Sequence, residues 1–261
     1  MSIRLQRYGP WALIAGASEG IGAAYAQQLA QAGFNLVLIA RREAPLVALA
    51  EGLAQRYSIE AVAIPLDLAQ PGLKEQLAAI LAAHDIGLAI YNATASFVGH
   101  FADHSDEDLA LITNLNVQAP LIFSQCFGTH LRRRGKGGLI LMSSMAGLQG
   151  SPLVATYGAT KSFMRVLAEG LWDEWRADGV DVLACVAGAT DTPGYQSSRP
   201  KAKAPTQAAD AVARAALRAL GKRPVVITGF GNRLATFVFQ RLLPKRLAVM
   251  FMGHQTRRLY D

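Results

Sequence analysis

Seven short apolar runs, separated by stretches of helical composition, limit what this chain can fold into. They lie at residues 11–15, 36–39, 61–64, 87–91, 138–142, 180–186 and 225–228. Runs such as Trp11–Ala15 (WALIA) are apolar throughout rather than alternating, which marks strands buried on both faces. Helices are predicted between them over 20–32, 44–57, 73–83, 106–134, 157–177 and 206–220, the last with Thr206 as its N-cap. Strand–helix alternation of this kind predicts a parallel sheet covered on both sides, and right-handed crossovers make it doubly wound. The expected fold class is α/β, with one sheet of about seven strands. The 261 residues suit a single domain, and no repeat or linker divides them. At 51% hydrophobic and 17% charged residues, the chain can fill a large core.

The turn after the first strand reads Gly16-Ala-Ser-Glu-Gly20-Ile-Gly22. Gly16 permits a tight turn, while Gly20 and Gly22 allow close backbone approach to a pyrophosphate at the helix N-terminus. This context, strand then glycine turn then helix, predicts a Rossmann-type nucleotide site with contacts from Gly16, Ser18, Glu19, Gly20, Ile21 and Gly22. The second strand ends Ala40-Arg41-Arg42, where an NAD site usually carries an acid for the ribose hydroxyl. Two guanidinium groups and no acid suit a 2′-phosphate, so the expected cofactor is NADP(H). Arg42 could equally be a solvated residue at a helix start. Asp67, followed by Leu68, ends the third strand and could accept from the adenine amino group, or serve only as a turn residue.

Tyr157 and Lys161 are four residues apart and share one helix face. A nearby ammonium favours the phenolate, which would fit Tyr157 to pass a proton to or from a substrate oxygen. Ser144, just after the fifth strand, can hydrogen-bond that oxygen as charge develops on it. Asn116 is a mediocre helix former in a predicted helix and is read as the holder of a water that relays protons to Lys161; Asn114 competes for the role.

With these residues in place, the order of the glycine turn, Asp67, Asn92, Asn116, Ser144, Tyr157-x-x-x-Lys161 and Gly188 resembles the short-chain dehydrogenase/reductase family. The resemblance runs from about Trp11 to Thr228. The opening Tyr8-Gly-Pro-Trp11-Ala and the Arg41 position are similar to its 17β-hydroxysteroid dehydrogenase and 3-oxoacyl-CoA reductase branch. It implies a catalytic tetrad of Asn116, Ser144, Tyr157 and Lys161, with Tyr157 and Lys161 also touching the cofactor. It further implies cofactor contacts from Asn92, Ala93, Thr94, Gly188, Thr190 and Thr192. Ala15, Thr94 and Ala187 depart from the residues usual there. The implied activity is reduction of a ketone, 3-oxoacyl or steroid carbonyl; the competing readings are physiological alcohol oxidation and a non-catalytic NADP(H)-binding module. A homodimer or homotetramer through the long helices is also implied.

Other classes have little support. Cys126 and Cys185 have no paired spacing, and the five histidines form no metal-binding cluster, so no metal is expected. The opening MSIRLQRYGP lacks the apolar region of a signal peptide, and no run is long enough to span a bilayer, so a cytoplasmic protein is expected. Of the formal net charge of +7, residues 231–261 carry +5, so the rest is nearly balanced and no nucleic-acid surface is implied. Asp191–Pro205, with Tyr195, Lys201 and Lys203, is predicted to be a long loop over the substrate. The tail at 231–261 has apolar residues at helical spacing; it could cover the cleft or a subunit, rest weakly on a membrane surface, or bind an acidic carrier.

Overall fold

The computed structural model describes residues 3–198, 200–201 and 205–260. Lys203 and Asp261 lie outside the described residues. A short helix α1 (Leu5–Tyr8) leads into β1 (Trp11–Ala15), α2 (Gly20–Gln31), β2 (Asn35–Ala40), α3 (Glu43–Tyr57), β3 (Ala61–Pro65), α4 (Leu73–Ala83) and β4 (Ile86–Tyr91). Then come α5 (Asp106–Thr113), a π-turn (Asn114–Gln118), α6 (Ala119–Arg134), β5 (Gly137–Ser144), α7 (Ala155–Glu174) and β6 (Val180–Ala187). The last part holds β7 (Thr190–Asp191), α8 (Pro193–Ser197), β8 (Gln207–Ala208), α9 (Ala209–Ala219), β9 (Val225–Ile227), α10 (Phe230–Phe237) and α11 (Lys245–Tyr260).

Seven strands form one parallel sheet in the order β3-β2-β1-β4-β5-β6-β9. The order reverses between β1 and β4, which opens a crevice at the carboxyl edge where ligands bind in doubly wound sheets. Each face of the sheet has its own core. Tyr25, Leu29, Phe34 and Leu46 fill one, and Tyr91, Phe123, Phe127 and Leu131 the other. The predicted fold class is the observed one.

Three expectations about elements need correction. The helix expected over 106–134 does run to Arg134 but widens into a π-turn at Asn114–Gln118, where Asn116 is drawn into bonds with the 94–95 segment rather than outward. Thr206 does not cap a helix. The Gln207 N–H is donated to the Ala189 carbonyl, β8 pairs with β7, and α9 starts only at Ala209 with Ala208 as its N-cap. The segment expected as one loop over 191–205 contains α8, capped by the Thr192 hydroxyl accepting from Tyr195 N at 3.1 Å.

At the amino edge of the sheet, α1 is tied to β6. Asp181 Oδ2 accepts from Arg7 Nε at 2.6 Å and from the Tyr8 hydroxyl at 2.7 Å.

Candidate active site

The carboxyl ends of β1, β2, β4, β5 and β6 gather most of the residues singled out in the sequence. Gly16 sits in the left-handed region at φ +82°, and a Cβ there would lie 2.6 Å from Ala93 N. A Cβ on Gly22 would lie 1.9 Å from the Gly16 carbonyl oxygen. The turn therefore closes only with glycine at both positions. Gly16 N and Ala17 N donate to the Ile39 carbonyl, and Asn92 Nδ2 donates to the Gly16 carbonyl at 2.8 Å. Asn92 thus fastens the glycine turn to the end of β4. Ile21 packs against the core, and Ser18 is half-buried in the turn.

Glu19 is the N-cap residue of α2, but its side chain makes no capping bond. The first turn of this 12-residue helix keeps its N–H groups uncapped by a side chain, a donor set that fits the phosphates of a dinucleotide. The Glu19 carboxylate instead pairs with Arg42. That pairing corrects the expectation of two guanidinium groups open to a 2′-phosphate. Arg41 is exposed, with no hydrogen bond or ion pair to any described residue.

Asp67 closes a local turn, with Oδ1 accepting from Ala69 N at 3.1 Å and Oδ2 facing Gln70 Nε2 at 3.4 Å. Leu68 beside it is buried. Thr190 Oγ1 donates to the Gly188 carbonyl at 2.9 Å, and a Cβ on Gly20 would lie 2.9 Å from Thr192 Cγ2. The 188–192 segment therefore lies against the glycine turn.

Asn116 is buried in the π-turn, and its amide is fully engaged. Oδ1 accepts from Ala95 N at 2.9 Å and from Thr94 Oγ1 at 3.2 Å. Nδ2 donates to the Ala95 carbonyl at 2.8 Å and to Thr160 Oγ1 at 3.1 Å. The side chain therefore does not hold the expected water. It clamps the segment after β4 to α7, and Thr94, which departs from the residue usual in the family, is part of the clamp.

Lys161 is only 3% exposed, and its Nζ donates to the Met142 carbonyl at 3.0 Å. No carboxylate pairs with it among the described residues. Burial lowers its pKa from the usual 10.5 to about 8. Its Nζ lies 5.6 Å from the Tyr157 ring centroid. Tyr157 is half-buried, and burial raises its phenol above the usual value. The nearby Ser144 hydroxyl works the other way, and Tyr260 adds to the rise. The expected lowering of the phenol by Lys161 is thus absent from this arrangement, because desolvation dominates and the ammonium is turned to Met142. Ser144 Oγ also accepts from Ala146 N at 3.2 Å, which orients the hydroxyl.

Sequence reasoning missed Tyr260. It comes close enough to raise the phenols of both Tyr157 and Tyr195, where burial is the larger cause, because α11 folds back over the site. The Leu259 carbonyl accepts from Lys201 N at 2.7 Å, and Thr256 Oγ1 donates to Ser151 Oγ at 3.1 Å. The only signal in the sequence was an aromatic residue at the end of an amphipathic segment, which points nowhere by itself. The Tyr195 hydroxyl is buried beneath this cover and has no partner among the described residues. No helix among the described residues is long and apolar enough to cross a membrane, and none of their acidic, histidine and cysteine side chains cluster as a metal site.

Comparisons with known proteins agree with this geometry. A 7beta-hydroxysteroid dehydrogenase of Collinsella aerofaciens is 34% identical over 203 residues, covering 77% of this chain and 76% of that protein. A very-long-chain 3-oxoacyl-CoA reductase of Laccaria bicolor is 33% identical over 178 residues, covering 67% of this chain and 53% of that protein. A solved structure from a study of 7beta-hydroxysteroid dehydrogenase stereoselectivity superposes with TM-score 0.86 at 30% identity, over 97% of this chain and 99% of the other. A short-chain dehydrogenase from Sphingobium yanoikuyae in complex with NADPH superposes with TM-score 0.80 at 29% identity, over 89% and 94%. The family model for short chain dehydrogenase matches residues 10–203, and the chain belongs to that family of oxidoreductases.

Proposed function

We propose that the protein is an NADP(H)-dependent reductase of bulky ketones, of the hydroxysteroid or 3-oxoacyl kind, with Tyr157 as the general acid. The observation that carries the reading is Lys161: a buried ammonium with no carboxylate partner among the described residues, on one helix face with the Tyr157 phenol and 5.6 Å from its ring centroid. A buried unpaired charge is costly, and such groups cluster at functional sites. A module that merely bound a nucleotide would have no use for the Ser144–Tyr157 pair.

The uncapped first turn of α2, the Gly16–Gly22 turn and Arg41 would hold the dinucleotide, with Lys161 at its nicotinamide ribose. When bound, the reduced nicotinamide supplies the hydride that the substrate carbonyl carbon accepts. Ser144 donates a hydrogen bond to the carbonyl oxygen, and Tyr157 gives that oxygen its phenolic proton. Lys161, with its Nζ 5.6 Å from the Tyr157 ring centroid, would stabilise the phenolate left behind once its ammonium turns from the Met142 carbonyl. Alcohol oxidation runs the same proton transfer in reverse. Two features favour NADP(H) over NAD(H): Arg41 is open and no acid ends β2. The NADPH bound by the Sphingobium relative supports the same choice. Substrates of steroid or acyl type fit the relatives' names and the cover that α11 builds beside Tyr157 through Tyr260. Leu121 of α6 and Val166 of α7 are exposed, which supports pairing of two copies through those helices.

The test is NADPH consumption over a panel of steroid ketones, 3-oxoacyl thioesters and aryl ketones. Turnover on at least one class is expected, and Tyr157→Phe should lower kcat by about a thousandfold or more while NADPH still quenches protein fluorescence. A Tyr157→Phe enzyme that turns over normally would remove Tyr157 as the acid.

A further inference from the structure

The C-terminal pair of helices packs on the protein with its small residues and turns its apolar ones outward. Thr236, Gly253 and Thr256 are buried against the 145–153 segment, and Ala248 is buried too. Phe230, Leu234 and Phe237 of α10 are 75%, 55% and 57% exposed. Leu247, Met250 and Phe251 of α11 are 51%, 58% and 47% exposed. Their spacing, four and three residues apart on α10 and three and four on α11, gathers each set onto one helix face. Water-soluble monomers seldom leave so many large apolar side chains of two successive helices in solvent.

Charge decides what covers this face. Between Phe230 and Tyr260 the sequence carries Arg233, Arg241, Lys245, Arg246, Arg257 and Arg258 and no acidic residue. All six are exposed, and Arg233 lies over the Phe230 ring at 5.8 Å. A second copy meeting this face across a twofold axis would bring two such cationic helix pairs together, with no carboxylate side chain from residues 230–260 of either copy to offset them. A surface that is apolar below and anionic above complements both features at once, and a bilayer with acidic headgroups is such a surface.

We propose that α10 and α11 form an interfacial anchor that seats the enzyme on an anionic bilayer. The outward aromatic and aliphatic side chains enter the headgroup layer, and the arginines and Lys245 contact acidic headgroups. On the proposed function, α11, whose Tyr260 comes close to Tyr157, would place the substrate mouth beside the membrane, where steroid and acyl substrates partition.

The test is sedimentation of the full-length protein with vesicles of phosphatidylcholine alone and of phosphatidylcholine with 30 mol % phosphatidylserine. Binding to the phosphatidylserine vesicles should be about tenfold or more tighter and should weaken with salt. A variant carrying Leu234→Ser, Phe237→Ser and Met250→Ser should lose that binding by about tenfold while keeping its NADPH affinity. A second variant, Arg241→Ser with Arg246→Ser and Arg258→Ser, changes only exposed cationic heads and should also bind less; it decides the matter if the first fails to fold. Absence of binding to the anionic vesicles overturns the proposal, as does wild-type binding by the charge variant. Wild-type binding by a folded serine variant overturns the insertion of the apolar face. A halved mass of that variant in light scattering assigns the face to a second copy and also overturns it.

Discussion

Lys161 shows how one residue's surroundings set its chemistry. Its ammonium is held on a carbonyl in a buried site, and burial brings its pKa down to about 8. Folded chains therefore bind fewer protons than unfolded ones between about 8 and 10.5. The cost of burying the cation is fully present below that window and is relieved as pH rises through it. Unfolding free energy measured in urea should climb from pH 8 to 10 relative to a Lys161→Met variant. A pH-independent difference between the two proteins would remove the buried-cation account. Arg41 is open where Arg42 is taken by Glu19, so Arg41→Ala should raise the KM for NADPH by about tenfold and leave that for NADH nearly unchanged. Equal losses with both nucleotides would show that Arg41 does not read the phosphate. The spacing of Tyr157 and Lys161 was legible from sequence because a helix converts four residues into one face. The direction of the Tyr157 shift was not, because it depends on how much water the fold leaves around the phenol.

Among the elements, the π-turn at Asn114–Gln118 has the clearest local cause. A regular helix through 106–134 would have aimed Asn116 by the 3.6-residue period alone. The wider turn lets its amide reach Ala95, Thr94 and Thr160 together. Asn116→Ala would leave the Ala95 N–H and carbonyl without these partners, at a cost of about 2–4 kcal/mol. Urea unfolding should report that loss, and Asn116→Asp, which cannot donate to the Ala95 carbonyl, should be destabilised as well. An alanine variant as stable as the parent would show that the clamp contributes nothing. Strands and most helices were legible because burial on two faces writes continuous apolar runs into the sequence. The π-turn at 114–118 and the late start of α9 were not, because both follow from partners far away in sequence: Ala95 for Asn116, Ala189 for Gln207. The tail misled for a similar reason. An apolar stripe ordinarily faces inward, yet here Thr236, Gly253 and Thr256 take the inner side.

At the scale of the whole molecule, the parallel sheet separates two jobs. Its amino edge is structural. Asp181 joins α1 to β6 through Arg7 and Tyr8, and Tyr8 is buried there with its phenol raised by burial first and by Asp181 second. Asp181→Ala would leave the Tyr8 hydroxyl without its acceptor and should lower stability by about 2–4 kcal/mol with kcat unchanged, since the nucleotide turn lies at the far end of the strands. A loss of kcat at saturating substrate would contradict that separation. The carboxyl edge holds the glycine turn, Ser144 and the 188–192 segment, and the last turn of α11 closes on it through Leu259 and Lys201. The two described ends of the chain therefore differ in what they tolerate. An affinity tag placed ahead of Ile3 leads into α1, at the amino edge of the sheet, and should be silent in assays. The same tag after Tyr260 emerges next to Tyr157, so a recombinant enzyme purified by that end would report the tag's obstruction along with its own kinetics.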